Sequence, residues 1–150
     1  MRCLVIYQSV HHGNTEKIAK EIAKCLDADL KRVDEINKKD LTEYDLIGFG
    51  SGIYFLKHHK SLLEFVENLP KMNKKAFIFS TRGLGCYKFY HRALRKKLIE
   101  KGFKIVGEFS CKGYDTYGIL KLIGGINKGR PNEQDLEKAR KFAMRMKKVG

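Results

Sequence analysis

Residues 4–23 read Leu-Val-Ile-Tyr-Gln-Ser-Val-His-His-Gly-Asn-Thr-Glu-Lys-Ile-Ala-Lys-Glu-Ile-Ala, and the rest of the chain is organised around them. Leu4, Val5, Ile6 and Tyr7 form an unbroken apolar and aromatic run, the pattern of a strand buried on both faces of a parallel sheet. Ile18, Ile22 and Leu26 then recur at every fourth position with Ala19 and Ala23 beside them. Lys17, Lys20, Glu21 and Lys24 take the opposite side, which makes an amphipathic helix. Ser9, Val10, His11, His12, Gly13, Asn14 and Thr15 join the two. A turn there aims backbone N–H groups outward, and those groups have no intrahelical acceptor. With the positive end of the helix dipole they are expected to form a site for a phosphate dianion.

A chain of 150 residues fits a single domain with a complete core. Met1-Arg2-Cys3 runs straight into the first strand, so no signal peptide is expected, and no apolar run reaches membrane-spanning length. The expected location is cytoplasmic, without membrane insertion. Cys3, Cys25, Cys86 and Cys111 are widely spaced with no C-x-x-C pair, which argues against a zinc site or a disulfide scaffold and for reduced thiols. Thirty-one Lys and Arg against seventeen Asp and Glu give a net charge of +14. That excess has two readings: a lysine-rich, thermophile-like composition, or attraction to an acidic partner, nucleic acid or a membrane surface.

In order, residues 30–33 read as a short second strand and 34–42 as a polar connection. Residues 44–50 read as a buried third strand ending in glycines. Leu62, Val66 and Leu69 mark a helix over 61–69, stopped by Pro70. Residues 76–80 are the fourth strand. Tyr90, Leu94 and Leu98 define the inner face of a helix over about 89–101 with Gly102 as its C-cap, and 103–109 are the fifth strand. After a long loop, Asn132 caps a last helix whose core face carries Leu136, Ala139, Ala143 and Met146. Strands alternating with helices imply right-handed crossovers and an α/β doubly wound, five-stranded parallel sheet in the order 2-1-3-4-5. Ligands of such sheets bind at the carboxyl ends of the strands where the winding reverses, here between the first and third.

The loop lacks both the Gly-Lys-Ser/Thr ending of a P-loop and the three glycines of a dinucleotide fold. With Gly13-Asn14-Thr15 closing it, the chain resembles the flavodoxin family over nearly its whole length. That resemblance implies FMN, with Ser9, His11, His12, Gly13, Asn14 and Thr15 around its phosphate. The chain departs from the usual loop in placing His11 and His12 where hydroxyl residues are common, in a loop one residue longer. The resemblance also assigns the ring to Ser51, Gly52, Ile53, Tyr54 and Phe55 after the third strand, and to Thr81, Arg82, Gly83 and Tyr87 after the fourth. Independently, a flat ligand needs aromatic walls and small residues that let amides reach its edge. Tyr54, Phe55 and Tyr87 can wall it, and Gly52 and Gly83 allow close approach. Lys57, His58, His59 and Lys60 are expected to open the next helix. Cys86 is read as a small packing residue. Residues 110–130, with Tyr114 and Tyr117, are longer than connectivity requires and read as a lid or partner site.

His11-His12 and His58-His59 are read as solvated loop residues, because adjacent side chains diverge and do not chelate. Ser9 lacks a nucleophile elbow and is read as a phosphate ligand. Residues 92–104, the densest basic run, are read as the wet face of a helix, with no specific nucleic acid expected. The expected function is an electron carrier working with a redox protein, an acidic one if the charge serves docking. The alternatives are a small FMN-dependent reductase acting on a quinone-like or other small-molecule acceptor, and a flavin-free binding module on the same fold.

Overall fold

The computed structural model describes residues 1–10, 13–114 and 124–150. Strand β1 (Cys3–Gln8) leads into helix α1 (Asn14–Leu26), and β2 (Asp29–Arg32) follows. A 3₁₀ turn (Lys38–Glu43) precedes β3 (Leu46–Tyr54), the short β4 (Lys57–His58) and α2 (Lys60–Glu67). Then come β5 (Lys75–Arg82), the one-turn α3 (Tyr87–Tyr90), α4 (Arg92–Glu100), β6 (Lys104–Lys112) and α5 (Glu133–Val149). Five parallel strands lie in the order β2-β1-β3-β5-β6, with β4 pairing antiparallel to β3. This is the expected doubly wound order, with one hairpin strand added.

The continuous apolar run of β1 is explained by its place inside the sheet, between β2 and β3 and covered on both faces. Val5 and Tyr7 pack with Ile18, Ile22, Phe77, Phe79, Phe109 and Phe142 beneath α1 and α5. Leu4 and Ile6 face the other way, joining Ile47, Phe49, Ile78, Leu62, Val66, Leu94 and Leu98 beneath α2 and α4. The last helix starts as its sequence requires: the Asn132 side chain accepts from the Asp135 N–H at 3.0 Å and the Asp135 carboxylate accepts from the Asn132 N–H at 2.8 Å. No helix among the described residues is long and apolar enough to cross a membrane.

Four expectations need correction. The third strand does not end at its glycines but runs to Tyr54. Gly48 and Gly50 pair with Phe77 and Phe79 of β5, and a Cβ at either would lie 2.1 or 2.3 Å from the facing ring. These glycines seat two phenylalanines, a close-approach role inside a strand. Second, the helix expected over 89–101 breaks at His91 into α3 and α4. Tyr90 therefore leaves the inner face and donates its hydroxyl to the Leu84 carbonyl at 2.7 Å, while His91 is buried instead. Third, His58 is no solvated loop residue: it belongs to β4 and is 1% exposed. Cys86, read as packing, is exposed at the start of α3.

Candidate functional site at the carboxyl ends of β1, β3 and β5

Gly13 ends the first loop in the left-handed region, at φ 63°, and is the N-cap of α1 without offering a side-chain cap. Only glycine takes that conformation at no steric cost. Ser9 does the capping from outside the helix, its Oγ accepting from the Glu16 N–H at 3.3 Å. The N–H groups of Asn14 and Thr15, at the helix start, have no intrahelical acceptor and stand at the positive end of the dipole. Tyr7 donates its hydroxyl to Glu16 at 3.2 Å, and burial together with that carboxylate raises the phenol above its ordinary value. It stays a neutral donor that holds the Glu16 side chain.

The second wall is the β3–β4 hairpin. Its turn residues Phe55 and Leu56 both have positive φ, 50° and 68°, as a two-residue type I′ hairpin demands. Bulky side chains there cost roughly 1–2 kcal/mol each, and such strain collects at ligand-handling segments. The outcome is two apolar side chains at the tip, 80% and 60% exposed. Ser51, buried, braces the hairpin base: its Oγ accepts from the His59 N–H at 2.9 Å and donates to the Gly52 carbonyl.

The third wall follows β5. Thr81 Oγ1 lies 2.8 Å from Thr15 Oγ1, tying this loop to the first one. Arg82 is tied down at both ends of its guanidinium, Nε donating to the Gly85 carbonyl at 2.9 Å and Nη1 to Ser110 Oγ at 3.1 Å. Asn127 donates to the Gly83 carbonyl at 2.8 Å, bringing the end of the long loop against this one.

These three segments enclose one cleft of about 100 Å³, lined by Asn14, Thr15, Gly52, Ile53, Tyr54, Phe55, Thr81, Arg82 and Gly83. Val10, Gly113 and Tyr114 are its other described lining residues, and of these only Tyr114 stood out in the sequence, as part of the long loop. Gly113 has no signal of its own in one dimension. A Cβ there would lie 2.6 Å from the Asn14 amide nitrogen, whose bond to the Tyr114 carbonyl at 2.7 Å draws this segment onto the helix start. Ser9, Ser51 and Tyr87 stand outside the lining. Tyr87 packs instead beside His91, ring centroids 5.3 Å apart. His11, His12 and Tyr117 lie outside the described residues.

A larger cavity, about 500 Å³, opens on the other side of the hairpin between Tyr54, Phe55, His59 and Leu63. None of its described lining residues comes from the loops after β1 or β5. Size alone does not make it the ligand site; the smaller cleft sits where the winding reverses, with the helix start beside it. The cleft's donor set also fits a phosphorylated flat ligand: free helix-start amides, a threonine hydroxyl, an arginine, and glycines beside an aromatic wall.

Comparison with known proteins agrees with this fold. A flavodoxin domain family model matches residues 4–113. An uncharacterised protein of Methanocaldococcus jannaschii is 58% identical over 144 residues, covering 95% of this chain and 96% of that protein. Oxidised flavodoxin 1 from Bacillus cereus superposes with a TM-score of 0.74 at 20% identity, over 99% of this chain and 98% of that one. The rubredoxin oxygen:oxidoreductase of Desulfovibrio gigas does so with a TM-score of 0.73 at 16% identity, over 99% of this chain but 35% of that chain. The chain belongs to the flavodoxin domain family.

Proposed function

We propose that this chain is a single flavodoxin-like domain that binds FMN in the cleft and passes electrons to a redox protein partner. The observation that carries the reading is the convergence of the Gly13–Thr15 helix start, the Gly52–Phe55 wall and the Thr81–Gly83 loop on one cleft. In this reading the amides of Asn14 and Thr15 hold the phosphate, with the Thr15 hydroxyl donating to it while accepting from Thr81. Tyr54 and Phe55 cover the ring, and Thr81 and Gly83 meet its polar edge. FMN supplies one- and two-electron redox chemistry when bound. The visible spectrum of the purified protein tests this. Yellow protein with bound oxidised flavin is expected; failure to take up FMN on reconstitution overturns it.

The docking face follows from the loops. Phe55, Leu56, Leu84 and Phe89 are exposed apolar residues of the hairpin, the loop after β5 and α3, and Lys57 and Lys88 beside them are exposed cations. Arg95 and Lys97 of the basic run are instead occupied, by Glu108 and Glu67 at 2.7 Å each. For an acidic partner, the electron-transfer rate should fall several-fold as salt rises. Lys57→Glu with Lys88→Glu should lower it at low salt only. A salt-independent rate leaves the +14 charge as composition.

The cationic surroundings also set the flavin's potentials. One positive charge at about 10 Å favours an anionic ring by roughly 0.4 to 1.7 kcal/mol for effective dielectrics of about 80 down to 20, equal to roughly 20 to 70 mV for one electron. Arg82 lines the cleft, so Arg82→Glu should lower the second one-electron potential by about twice that. A reductive titration with a reference dye checks it; an unchanged couple means Arg82 does not act on the ring. A raised second couple favours two-electron chemistry, and Gly113 and Tyr114 in the cleft lining favour a second reading in which a quinone-like acceptor meets the flavin there.

A further inference from the structure

A chain of hydrogen bonds runs from the cleft into the core beneath α4. Arg82 Nη1 meets Ser110 Oγ at 3.1 Å, Ser110 Oγ meets Ser80 Oγ at 2.7 Å, and Ser80 Oγ meets His91 Nε2 at 2.7 Å. His91 Nδ1 meets Glu108 Oε1 at 2.9 Å, and Arg95 grips both carboxylate oxygens at 2.8 and 2.7 Å. Ser80 and His91 are fully buried. We propose that His91 is a positioning residue for Arg82, acting through Ser80 and Ser110 to hold the guanidinium at the cleft; this rests on the FMN reading of that cleft.

The two ends dictate the direction of every bond between them. Arginine can only donate and an ionised carboxylate can only accept. Burial opposes the Glu108 charge, but hydrogen bonds from His91 and Arg95 outweigh it and hold the carboxyl at about 2. His91 must therefore carry its proton on Nδ1. Burial keeps the imidazole uncharged against the pull of Glu108, so Nε2 is a bare acceptor. Ser80 then donates to His91 and accepts from Ser110, whose oxygen accepts from Arg82. Each hydroxyl gives one bond and takes one, and no member has a second arrangement that satisfies all its neighbours. His58, its ring tilted against that of His91 with centroids 4.9 Å apart, is itself held neutral by burial and adds no competing charge.

Ser80, His91 and Glu108 have the spacing of a nucleophile, base and acid. Hydrolysis is excluded by access: Ser80 has no exposed surface and its oxygen is committed in both directions. What the chain accomplishes is orientation. A long arginine side chain in water loses rotamer freedom only at a cost, and here a pre-aligned Ser110 oxygen and the Gly85 carbonyl hold it.

The test compares His91→Leu, His91→Gln and Ser110→Ala in the full chain. Glutamine can accept from Ser80 and donate to Glu108, so it should preserve the chain; leucine cannot. Ser110→Ala cuts the link nearest Arg82 with little change to the core, and keeps the test decisive if His91→Leu does not fold. In FMN-free protein, ¹⁵N NMR should show slow exchange of the Arg82 Nη1–H, the group held by Ser110, in wild type and His91→Gln, and fast exchange in His91→Leu and Ser110→Ala. With FMN, the same two variants should lose about three- to tenfold of the preference for reduced over oxidised flavin, as Arg82→Leu does, and lose nothing further in an Arg82→Leu background. Unchanged Arg82 exchange, or additive losses, overturns the inference. If wild-type protein takes up no FMN, the functional reading fails while the FMN-free exchange measurement still decides the positioning role.

Discussion

Replacing Gly13 with valine is expected to weaken FMN binding by at least about a hundredfold while changing riboflavin affinity by less than about threefold. A β-branched residue at φ 63° costs roughly 1–2 kcal/mol, and the loop escapes that strain only by turning the first helical amides away from the phosphate. Each charge-assisted hydrogen bond so lost is worth about 1.5 to 3 kcal/mol, and two account for the hundredfold. Among the described residues the nearest atom to a Cβ at Gly13 is 3.9 Å away, so the strain is one of backbone conformation. Riboflavin has no phosphate and so reports the ring contacts alone. Fluorescence titration of both ligands decides it: equal losses would show that this loop does not hold the phosphate.

The second large effect is on stability in mild acid. Burial pulls His58 down to about 3, and burial also lowers His59 and His91. Between about pH 3 and 6.5 the unfolded chain therefore binds a proton at His58 that the native protein refuses. With more protons on the unfolded state, stability rises with pH across that window and falls as pH drops. His58 alone should remove about 1.4 kcal/mol per pH unit, or about 3 kcal/mol between pH 7 and pH 4. Glu108 adds to this only lower down: its depressed carboxyl stabilises the fold above the unfolded value near 4.5 and loses that contribution toward about 2. Urea unfolding of FMN-free protein at pH 7, 6, 5 and 4 reads the slope, and His58→Leu should flatten it. A free energy that stays level from pH 7 to 5 would mean that His58 is solvated or charged in the native state.

The sequence by itself determined the parts of this protein whose physics is local. Period and capping are short-range properties, so the buried run 4–7, the amphipathic helix after it and the Asn132 cap could be read from their neighbours alone. The strand order followed because right-handed crossovers leave few alternatives. The first loop was legible as a candidate phosphate site for the same reason, being a strand end, a glycine and a helix start within a few residues.

What only the tertiary structure decided depends on partners far away in the chain. Gly48 and Gly50 look like the onset of a loop until β5 lays Phe77 and Phe79 across them. His58 and His91 look like polar loop and helix residues until burial closes over both. Arg82 was legible as a cation near the site, but its fixed direction comes from Ser110, 28 positions on, and from His91 and Glu108 behind it. Gly113 belongs to the cleft because the Asn14 side chain, 100 positions from its acceptor at Tyr114, pulls that segment in. Local sequence carries the backbone periods of such residues but holds no record of which side chains the fold will bring within hydrogen-bonding distance.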